Sequence, residues 1–600
     1  MQAMILAAGM GKRLKELTKN NTKCMVKVNG VTLIERMLGQ IEKQNVSRII
    51  MVIGYEGEKL REFIGTLDLH TEVEYVYNPI YDQTNNIYSL YLARDYLVQE
   101  DTLLFESDLI VEDGVLEELV NDPRDTLALV SKYEAWMDGT CVVLNEDDSI
   151  ASFVPGKQFQ FQNCENYYKT VNIYKFGKEF SRSYYVPFLT AYQQALGQNQ
   201  YYEQVLRVIT MLEVPAIRAK RMEGKKWYEI DDVQDLDIAE SIFAEGSEKT
   251  AKLMRRYGGY WRYPGLLDFC YLVNPYFPPK RMIDELQNSF EVLLRNYPSG
   301  MGVMCLLAAK NFGVHEDQVI VGNGAAELIR SLMGMTEGKI GVIRPTFEEY
   351  PNRLAPERTE VFTPENPDFS YTDEDVLAWL DRHPVSTLVL INPDNPSGSY
   401  IPHAGLMNLV KETGKRGIRL IVDESFADFA EEENNSLLDP DLLENCPHLI
   451  VVKSISKSYG VPGLRLGILA CGDRDLITDL KQDVSIWNIN SFGEYYLQIA
   501  EKYRNDYRES LVKIKAERRR FMNGLSAVKN LRVIPSEANY IMVECTGTMT
   551  SRKLQERLLE EYDILIKDLS AKTGGNYIRL AVRNAEDNDR LLAALDELMN

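Results

Sequence analysis

Short apolar runs alternate with longer stretches in which apolar positions recur at helical spacing, and this rhythm extends through most of the chain. In the first half the runs fall at 3–6, 48–53, 73–77, 102–106 and 126–131. Runs of that length separated by amphipathic stretches predict strands joined by helices, hence a mostly parallel sheet covered by helices. Around Ala244-Glu245-Gly246-Ser247-Glu248-Lys249 small and charged residues replace the pattern, and a helix-like stretch leads on to Tyr257-Gly258-Gly259. A second alternation follows, with runs at 318–321, 339–342, 387–391, 420–422 and 449–452. The fold class is therefore α/β in two bodies: a domain over 1–243, a linker over 244–256 and a second domain over 257–600. No short-period repeat interrupts this, and Glu431-Glu432-Glu433-Asn434-Asn435 reads as a solvated loop.

Composition agrees with that division. The chain has 600 residues, and at roughly 100 to 200 residues per domain this predicts several packed units. Hydrophobic residues make up 45% and charged residues 26%, as in ordinary globular protein. No apolar run approaches the roughly 20 residues of a membrane-spanning helix, so no membrane span is expected. The first residues lack the charged start and cleavage pattern of a signal peptide, which predicts a cytoplasmic protein. A net charge of −22 argues against generic nucleic-acid binding, which depends on phosphate neutralisation by excess lysine and arginine. Any anionic substrate must then meet a local cationic pocket. Eight scattered cysteines lack the paired spacing of zinc sites and predict free thiols. None of His70, His315, His383, His403 and His448 falls in a motif.

The segment Leu6-Ala7-Ala8-Gly9-Met10-Gly11-Lys12-Arg13-Leu14 directly follows the first predicted strand. Its glycines let backbone approach a phosphate, while amides, Lys12 and Arg13 supply positive potential. Leu6, Ala7, Ala8, Gly9, Gly11, Lys12 and Arg13 are thus candidate nucleotide-binding residues. Beyond it, Asn21-Thr22-Lys23-Cys24-Met25-Val26-Lys27-Val28 resembles the lysine-bearing signature of sugar-nucleotide and choline-phosphate nucleotidyltransferases. That resemblance implies a Rossmann-like nucleotidyltransferase fold with a mixed sheet. It also implies that Lys23 is catalytic, facing the α-phosphate and departing pyrophosphate where charge accumulates. Two carboxylates are implied as magnesium ligands, one at a strand end in mid-domain and one near the domain's end. Glu106-Ser107-Asp108 and Tyr228-Glu229-Ile230-Asp231-Asp232 occupy those places. Asp108 and Asp231 are the expected Mg2+ ligands, with Glu229 nearby; hard oxygen donors beside phosphates suit this metal.

Asn85-Asn86-Ile87-Tyr88-Ser89-Leu90-Tyr91 resembles the branch that activates choline phosphate, which implies CTP as donor. Lys132-Tyr133-Glu134-Ala135-Trp136-Met137-Asp138 sets an indole beside a carboxylate, a pairing able to hold an ammonium group. Asn85, Asn86, Lys132, Trp136 and Asp138 are therefore candidate acceptor contacts. The same residues also read as a core aromatic, Trp136, and a turn residue, Asp138.

Residues 255–600 resemble fold type I pyridoxal-phosphate enzymes, especially histidinol-phosphate aminotransferase and threonine-phosphate decarboxylase. The motifs occur in order. Ser454-Ile455-Ser456-Lys457-Ser458-Tyr459-Gly460 places a lysine among hydroxyl residues, and Pro462-Gly463-Leu464-Arg465 follows. The resemblance implies a large and a small lobe, with Lys457 as Schiff-base partner and base. Arg465, Ser454 and Ser456 would hold the cofactor phosphate together with the helix opening at Gly324-Ala325-Ala326. Asn395 would meet the phenolic oxygen, Asp423 the pyridine nitrogen, and Tyr350 would stack on the ring. Tyr297 would reach the phosphate in a neighbouring subunit, implying a homodimer. Where many relatives carry tyrosine this chain has Phe426, so a modest shift in the proton affinity of the lysine–cofactor linkage is expected. Arg579, in Tyr577-Ile578-Arg579-Leu580, would grip the carboxylate of the amino donor.

Joined in one chain, an amine-making enzyme and an enzyme activating an amine-bearing phosphate compound imply consecutive steps. The expected reactions are transamination of phosphonoacetaldehyde to 2-aminoethylphosphonate and its conversion with CTP to CMP-2-aminoethylphosphonate. A second reading keeps the enzymology but uses phosphoesters: a phosphocholine or phosphoethanolamine cytidylyltransferase joined to a decarboxylase.

Overall fold

A computed structural model describes residues 1–212 and 217–599. These form two compact units, Met1–Tyr263 and Pro264–Asn600.

In the first unit a nine-stranded sheet combines β1 (Gln2–Ala7), β2 (Ile49–Ile53), β3 (Val73–Tyr77), β4 (Thr102–Glu106), β6 (Leu127–Lys132), β7 (Cys141–Leu144), β8 (Ile150–Val154), β9 (Tyr167–Phe176) and β10 (Arg218–Arg221). A separate ribbon pairs β5 (Leu109–Val111) with β11 (Trp227–Glu229). The order β4-β1-β2-β3 is parallel, and β9 runs antiparallel to β4, β6 and β7. Strand β1 is buried on both faces: Ala3, Ile5 and Ala7 pack into one core cluster, Met4 and Leu6 into another. Such two-sided burial explains its unbroken apolar run. Each apolar run expected in this half becomes a strand. The antiparallel β9 was not expected, because its buried Lys169, Asn172 and Lys175 break the hydrophobic signal.

Three helices matter for position: α1 (Asn86–Leu92), α2 (Glu203–Ile209) and α3 (Gly246–Arg255). The last corrects the expected linker over 244–256. Lys249, Thr250 and Leu253 are buried, and Lys252 binds Asn29 and Glu240 at 3.1 Å each, so the segment packs as a helix of the first unit. Glu248 and Arg255 face solvent, and that face had read as a gap.

The second unit holds helix α4 (Lys280–Arg295) and a seven-stranded sheet in the order β12-β18-β17-β16-β15-β13-β14. Its strands are β12 (Val319–Asn323), β13 (Ile340–Ile343), β14 (Thr359–Phe362), β15 (Thr387–Ile391), β16 (Arg419–Asp423), β17 (Leu449–Ser454) and β18 (Leu466–Cys471). All are parallel except β18. Helix α5 (Ala325–Met335) follows β12, and the single turn α6 (Ile455–Ser458) follows β17. A smaller antiparallel sheet, β19 (Leu531–Val533), β20 (Tyr540–Cys545), β22 (Tyr577–Ala581) and β21 (Lys567–Asp568) in that order, has its own core around Phe521, Ile541 and Leu580. This is the large-and-small-lobe α/β architecture expected of the half. All eight cysteines are free. Among the described residues no helix is long and apolar enough to cross a membrane.

Candidate active sites

The β5–β11 ribbon builds the first site. Glu229 pairs with Leu109 in register, and the Ile230 amide donates to the Asp108 carbonyl at 3.0 Å, so residues over 100 apart converge. Lys23 Nζ donates to Asp108 Oδ2 at 2.5 Å and to Asp231 Oδ1 at 2.7 Å. Arg13 meets the same Asp231 oxygen at 2.7 Å. Burial opposes the charge on Lys23, but Asp108 and Asp231 outweigh it and hold its pKa above the ordinary lysine value. Asp231 is correspondingly lowered: burial opposes the shift, and Lys23 and Arg13 overcome it. Gly11, at φ +58°, lies against Lys23, where a Cβ would come within 3.2 Å of the lysine Cβ.

Ligand oxygens of Asp108, Glu229 and Asp231 all lie within 4.8 Å of one another. Asp108 Oδ1 is buried with no hydrogen-bond partner among the described residues. Three converging carboxylates with a vacant oxygen lone pair fit a hard divalent cation. Glu229 also meets Lys169 at 3.2 Å and Asn172 at 3.2 Å.

Not every expected contact assembles. Asn85 caps α1, accepting from the Asn86 amide. Asn86 is engaged at both ends: its Nδ2 donates to Glu106 at 2.9 Å and its Oδ1 accepts from the Tyr202 amide at 3.0 Å. Trp136 stacks on Tyr228 at 4.2 Å and donates its indole N–H to Glu134 at 2.5 Å. Asp138 is exposed and accepts from the Gly139 amide at 2.7 Å. These are the core-aromatic and turn roles, so the expected indole–carboxylate pair for an ammonium is replaced by local packing. Lys132 is exposed over the Tyr168 ring at 4.6 Å, while Lys12 and Gly9 face solvent and Leu6, Ala7 and Ala8 are buried. Sequence reading passed over Glu203, the first residue of α2, which is 5% exposed and has an oxygen with no partner among the described residues. An acidic residue embedded in Tyr201-Tyr202-Glu203 was the available signal.

In the second unit the candidate residues gather at the C-terminal edge of the parallel strands, the usual place for sites in such sheets. Asp423 ends β16, accepting from the Ser425 amide at 2.9 Å and from the Tyr350 hydroxyl at 2.9 Å. Burial raises its pKa despite these donors. Asn395, in the turn after β15, accepts from Arg579 at 2.6 Å; the same guanidinium donates to the Cys270 carbonyl at 2.8 Å. Arg579 Nε is buried without a partner among the described residues. Lys457 lies on α6, and its pKa is pushed down to about 8, first by burial and then by Arg579 and Arg465, with Asp423 opposing.

The phosphate cradle has a distinctive geometry. Gly324, at φ +76°, sits where a Cβ would come within 2.6 Å of Arg465 Nη2, so only glycine lets the guanidinium lie against the α5 N-terminus. The Gly324 amide donates to the Arg465 carbonyl at 2.8 Å, and Arg465 itself is left-handed at φ 56°. Ala325 and Ala326 open α5, where first-turn amides have no partner within the helix. Ser454 ends β17 and Ser456 lies in α6, both buried, and Ser456 Oγ has no partner among the described residues. Donors without acceptors around a guanidinium fit a bound phosphate. Phe426 packs edge-on against Tyr540 at 5.0 Å. Tyr297 is 80% exposed and stacks on Trp487 at 4.6 Å.

One further cation was missed. Lys567 stands directly opposite Arg579 in the β21–β22 pairing, so two like charges share a sheet face, an arrangement that is unfavourable unless an anion lies between them. Burial pushes the Lys567 pKa below its ordinary value. A lysine ending the run Ile564-Leu565-Ile566 was its only mark in the sequence.

Fold and sites together define a fused nucleotidyltransferase and pyridoxal-phosphate-dependent enzyme. The family model for a MobA-like NTP transferase domain matches residues 3–149, and that for aminotransferase class I and II matches residues 295–595. CMP-5'-(3-aminopropyl)phosphonate synthase of Streptomyces rubellomurinus is 32% identical over 100% of this chain and 95% of its own length, and the chain belongs to its family. L-serine phosphate decarboxylase of Sulfurospirillum multivorans is 32% identical over 56% of the chain and 88% of its own. Among solved structures, a decarboxylase from Sulfurospirillum multivorans covers 57% of the chain and 91% of its own at 31% identity, with a TM-score of 0.52.

Proposed function

We propose that the second unit transaminates phosphonoacetaldehyde to 2-aminoethylphosphonate and that the first transfers CMP from CTP to this product with Mg2+, releasing pyrophosphate. The observation that carries the reading is the relative that spans both units and whose printed name joins CMP to an aminoalkylphosphonate.

In the first unit, Asp108, Glu229 and Asp231 would hold the metal, which would screen phosphate charge, while Lys23 and Arg13 would turn from the carboxylates to the α-phosphate and departing pyrophosphate. The phosphonate oxygen forms the new bond to the α-phosphorus, and the bond to pyrophosphate breaks. Catalysis here is positioning and charge stabilisation. Gly9, Gly11 and Lys12 border the nucleotide phosphates.

In the second unit, pyridoxal phosphate, when bound, supplies an electron sink for charge developing at the substrate Cα. Helix α5, Ser454, Ser456 and Arg465 would hold its phosphate, Asp423 its ring nitrogen and Asn395 its phenolic oxygen, with Tyr350 as the ring's aromatic neighbour. Lys457 would tether it and move the proton at Cα; a pKa lowered to about 8 makes the free amine available for that task. Arg579 receives the donor's carboxylate, and Lys567 beside it adds the second positive charge that a phosphonate dianion needs. Exposed apolar side chains at Phe290, Leu294, Tyr297, Ile486 and Trp487 support a homodimer through this unit.

The similarity to L-serine phosphate decarboxylase favours a second reading, in which the second unit decarboxylates a phosphoester amino acid and the acceptor is a phosphoester amine. Pyrophosphate release with Mg2+ and CTP separates them, comparing 2-aminoethylphosphonate, 3-aminopropylphosphonate, phosphoethanolamine and phosphocholine at equal low concentration. Preference for 2-aminoethylphosphonate is expected. Preference for a phosphoester would overturn the phosphonate reading, and preference for the aminopropyl compound would move the chain length to that of the relative.

A further inference from the structure

The first unit gathers five acidic side chains, and two of them, Glu106 and Glu203, have no ion pair among the described residues. Asp108, Glu229 and Asp231 form the metal group, and Lys23, Arg13 and Lys169 are the cations that pair with them. Glu106 and Glu203 stand outside that group. Glu106 ends β4 and accepts from Asn86. Glu203 opens α2, 5% exposed. Asn86 brackets the two, holding the Glu106 carboxylate with one end and the amide of Tyr202, the residue before Glu203, with the other.

Around this pair two polar atoms lack partners. Glu203 Oε2 and the Tyr202 hydroxyl are both buried with no hydrogen-bond partner among the described residues. Tyr202 packs edge-on against Tyr174 at 5.8 Å, so aromatic rings form the wall. An isolated carboxylate in such surroundings is costly unless a cation meets it. The cation that fits carries several N–H donors, because both carboxylates and the phenol offer oxygens. A primary ammonium has three such donors; a quaternary ammonium has none.

We propose that Glu203, with Glu106 and the Tyr202 hydroxyl, forms the subsite for the ammonium group of the acceptor, and that it selects a primary amine over both a quaternary amine and an acceptor without one. This rests on the reading of the first unit as a transferase to an amine-bearing acceptor. It moves the amine from Trp136 and Asp138, which local packing occupies, to the carboxylates bracketed by Asn86.

The test uses the full chain with Mg2+ and CTP and three acceptors: 2-aminoethylphosphonate, its N-trimethyl counterpart and ethylphosphonate. The wild type is expected to favour the primary amine strongly. Glu203→Gln is expected to lower kcat/KM for 2-aminoethylphosphonate by about 30-fold or more, as loss of one partner of a buried charge pair does. The rate with ethylphosphonate and the KM for CTP should stay within about twofold, so the preference collapses. Tyr202→Phe guards against misfolding, since it removes a buried hydroxyl that has no partner among the described residues: Tm should hold or rise while kcat/KM for the amine falls several-fold. An unchanged preference for the primary amine in both variants would overturn the subsite and leave the proposed function standing. No pyrophosphate release with any amine-bearing acceptor would overturn both.

Discussion

Lys23 in the first unit and Lys457 in the second are both recessed and both sit among the residues expected to do chemistry, yet their surroundings treat them in opposite ways. Lys23 is gripped by two carboxylates, which hold its charge firmly. Lys457 has no ion pair among the described residues and lies near two guanidiniums, which with burial drive its charge off toward about 8. The difference matches the tasks. A lysine that must neutralise a phosphate has to stay charged at every working pH, whereas one that must act as a nucleophile and a base has to lose its proton readily. The same side chain is tuned by which charges stand beside it.

Several measurements would break or sharpen that contrast. The largest effect is expected from Lys457→Ala: aminotransfer should fall about 10³-fold or more and the cofactor's lysine-linked absorbance should vanish, while pyrophosphate release stays within about twofold. A variant that retained aminotransfer would remove Lys457 from its role. Lys23→Ala should give the mirror image, costing about 10²- to 10³-fold in pyrophosphate release with aminotransfer untouched. Coupled losses in either variant would show that the two sites are not independent.

Next in size is Gly324→Ala. A side chain at φ +76° pressing on Arg465 adds strain of about 2 kcal/mol, so pyridoxal phosphate should bind about 30-fold more weakly, read by titrating the apoenzyme. Smaller still is a pH effect. Burial and the neighbouring arginines disfavour the charged form of Lys457, so its neutral form dominates above about 8. Recombination of apoenzyme with pyridoxal phosphate should therefore speed up as pH rises toward about 8 and level off beyond it. A rate still climbing toward the ordinary lysine range would mean that Lys457 is solvated like any other. Last, Phe426→Tyr should move the lysine-linked absorbance titration by a fraction of a pH unit with kcat changed only a few-fold.

Much of this was legible from residue order, for particular reasons. Strands such as β1 and β15 are buried on both faces, so hydropathy alone marks them. Lys23, Asp108, Lys457, Asp423 and Arg465 stand in local motifs; in the first unit Lys23 meets Asp108 beside the ribbon, and in the second Asp423 ends a strand and Lys457 follows the neighbouring one. What escaped depends on contacts between distant segments. Lys169 is 2% exposed because Glu229, 60 residues away, receives its charge. Lys567 gains meaning only from the register that sets it across from Arg579. Trp136 beside Asp138 suggested a cation site, but Tyr228 and Glu134 had the prior claim on its ring and its N–H. The helix α3 was hidden by a charged outer face, since only three of its residues are buried.

The clasp of Lys23 and Arg13 on the metal carboxylates carries a consequence for the order of events. While those cations occupy Asp108 and Asp231, a divalent ion arriving alone must displace like charge and gains little. A triphosphate arriving alone must draw the same cations away from their carboxylates. When both arrive, each removes what obstructs the other, so their affinities rise together and, by thermodynamic reciprocity, by the same factor. Under the proposed function the clasp would work as an interlock that resists half-loading, with the first site primed by the metal–nucleotide complex as a unit.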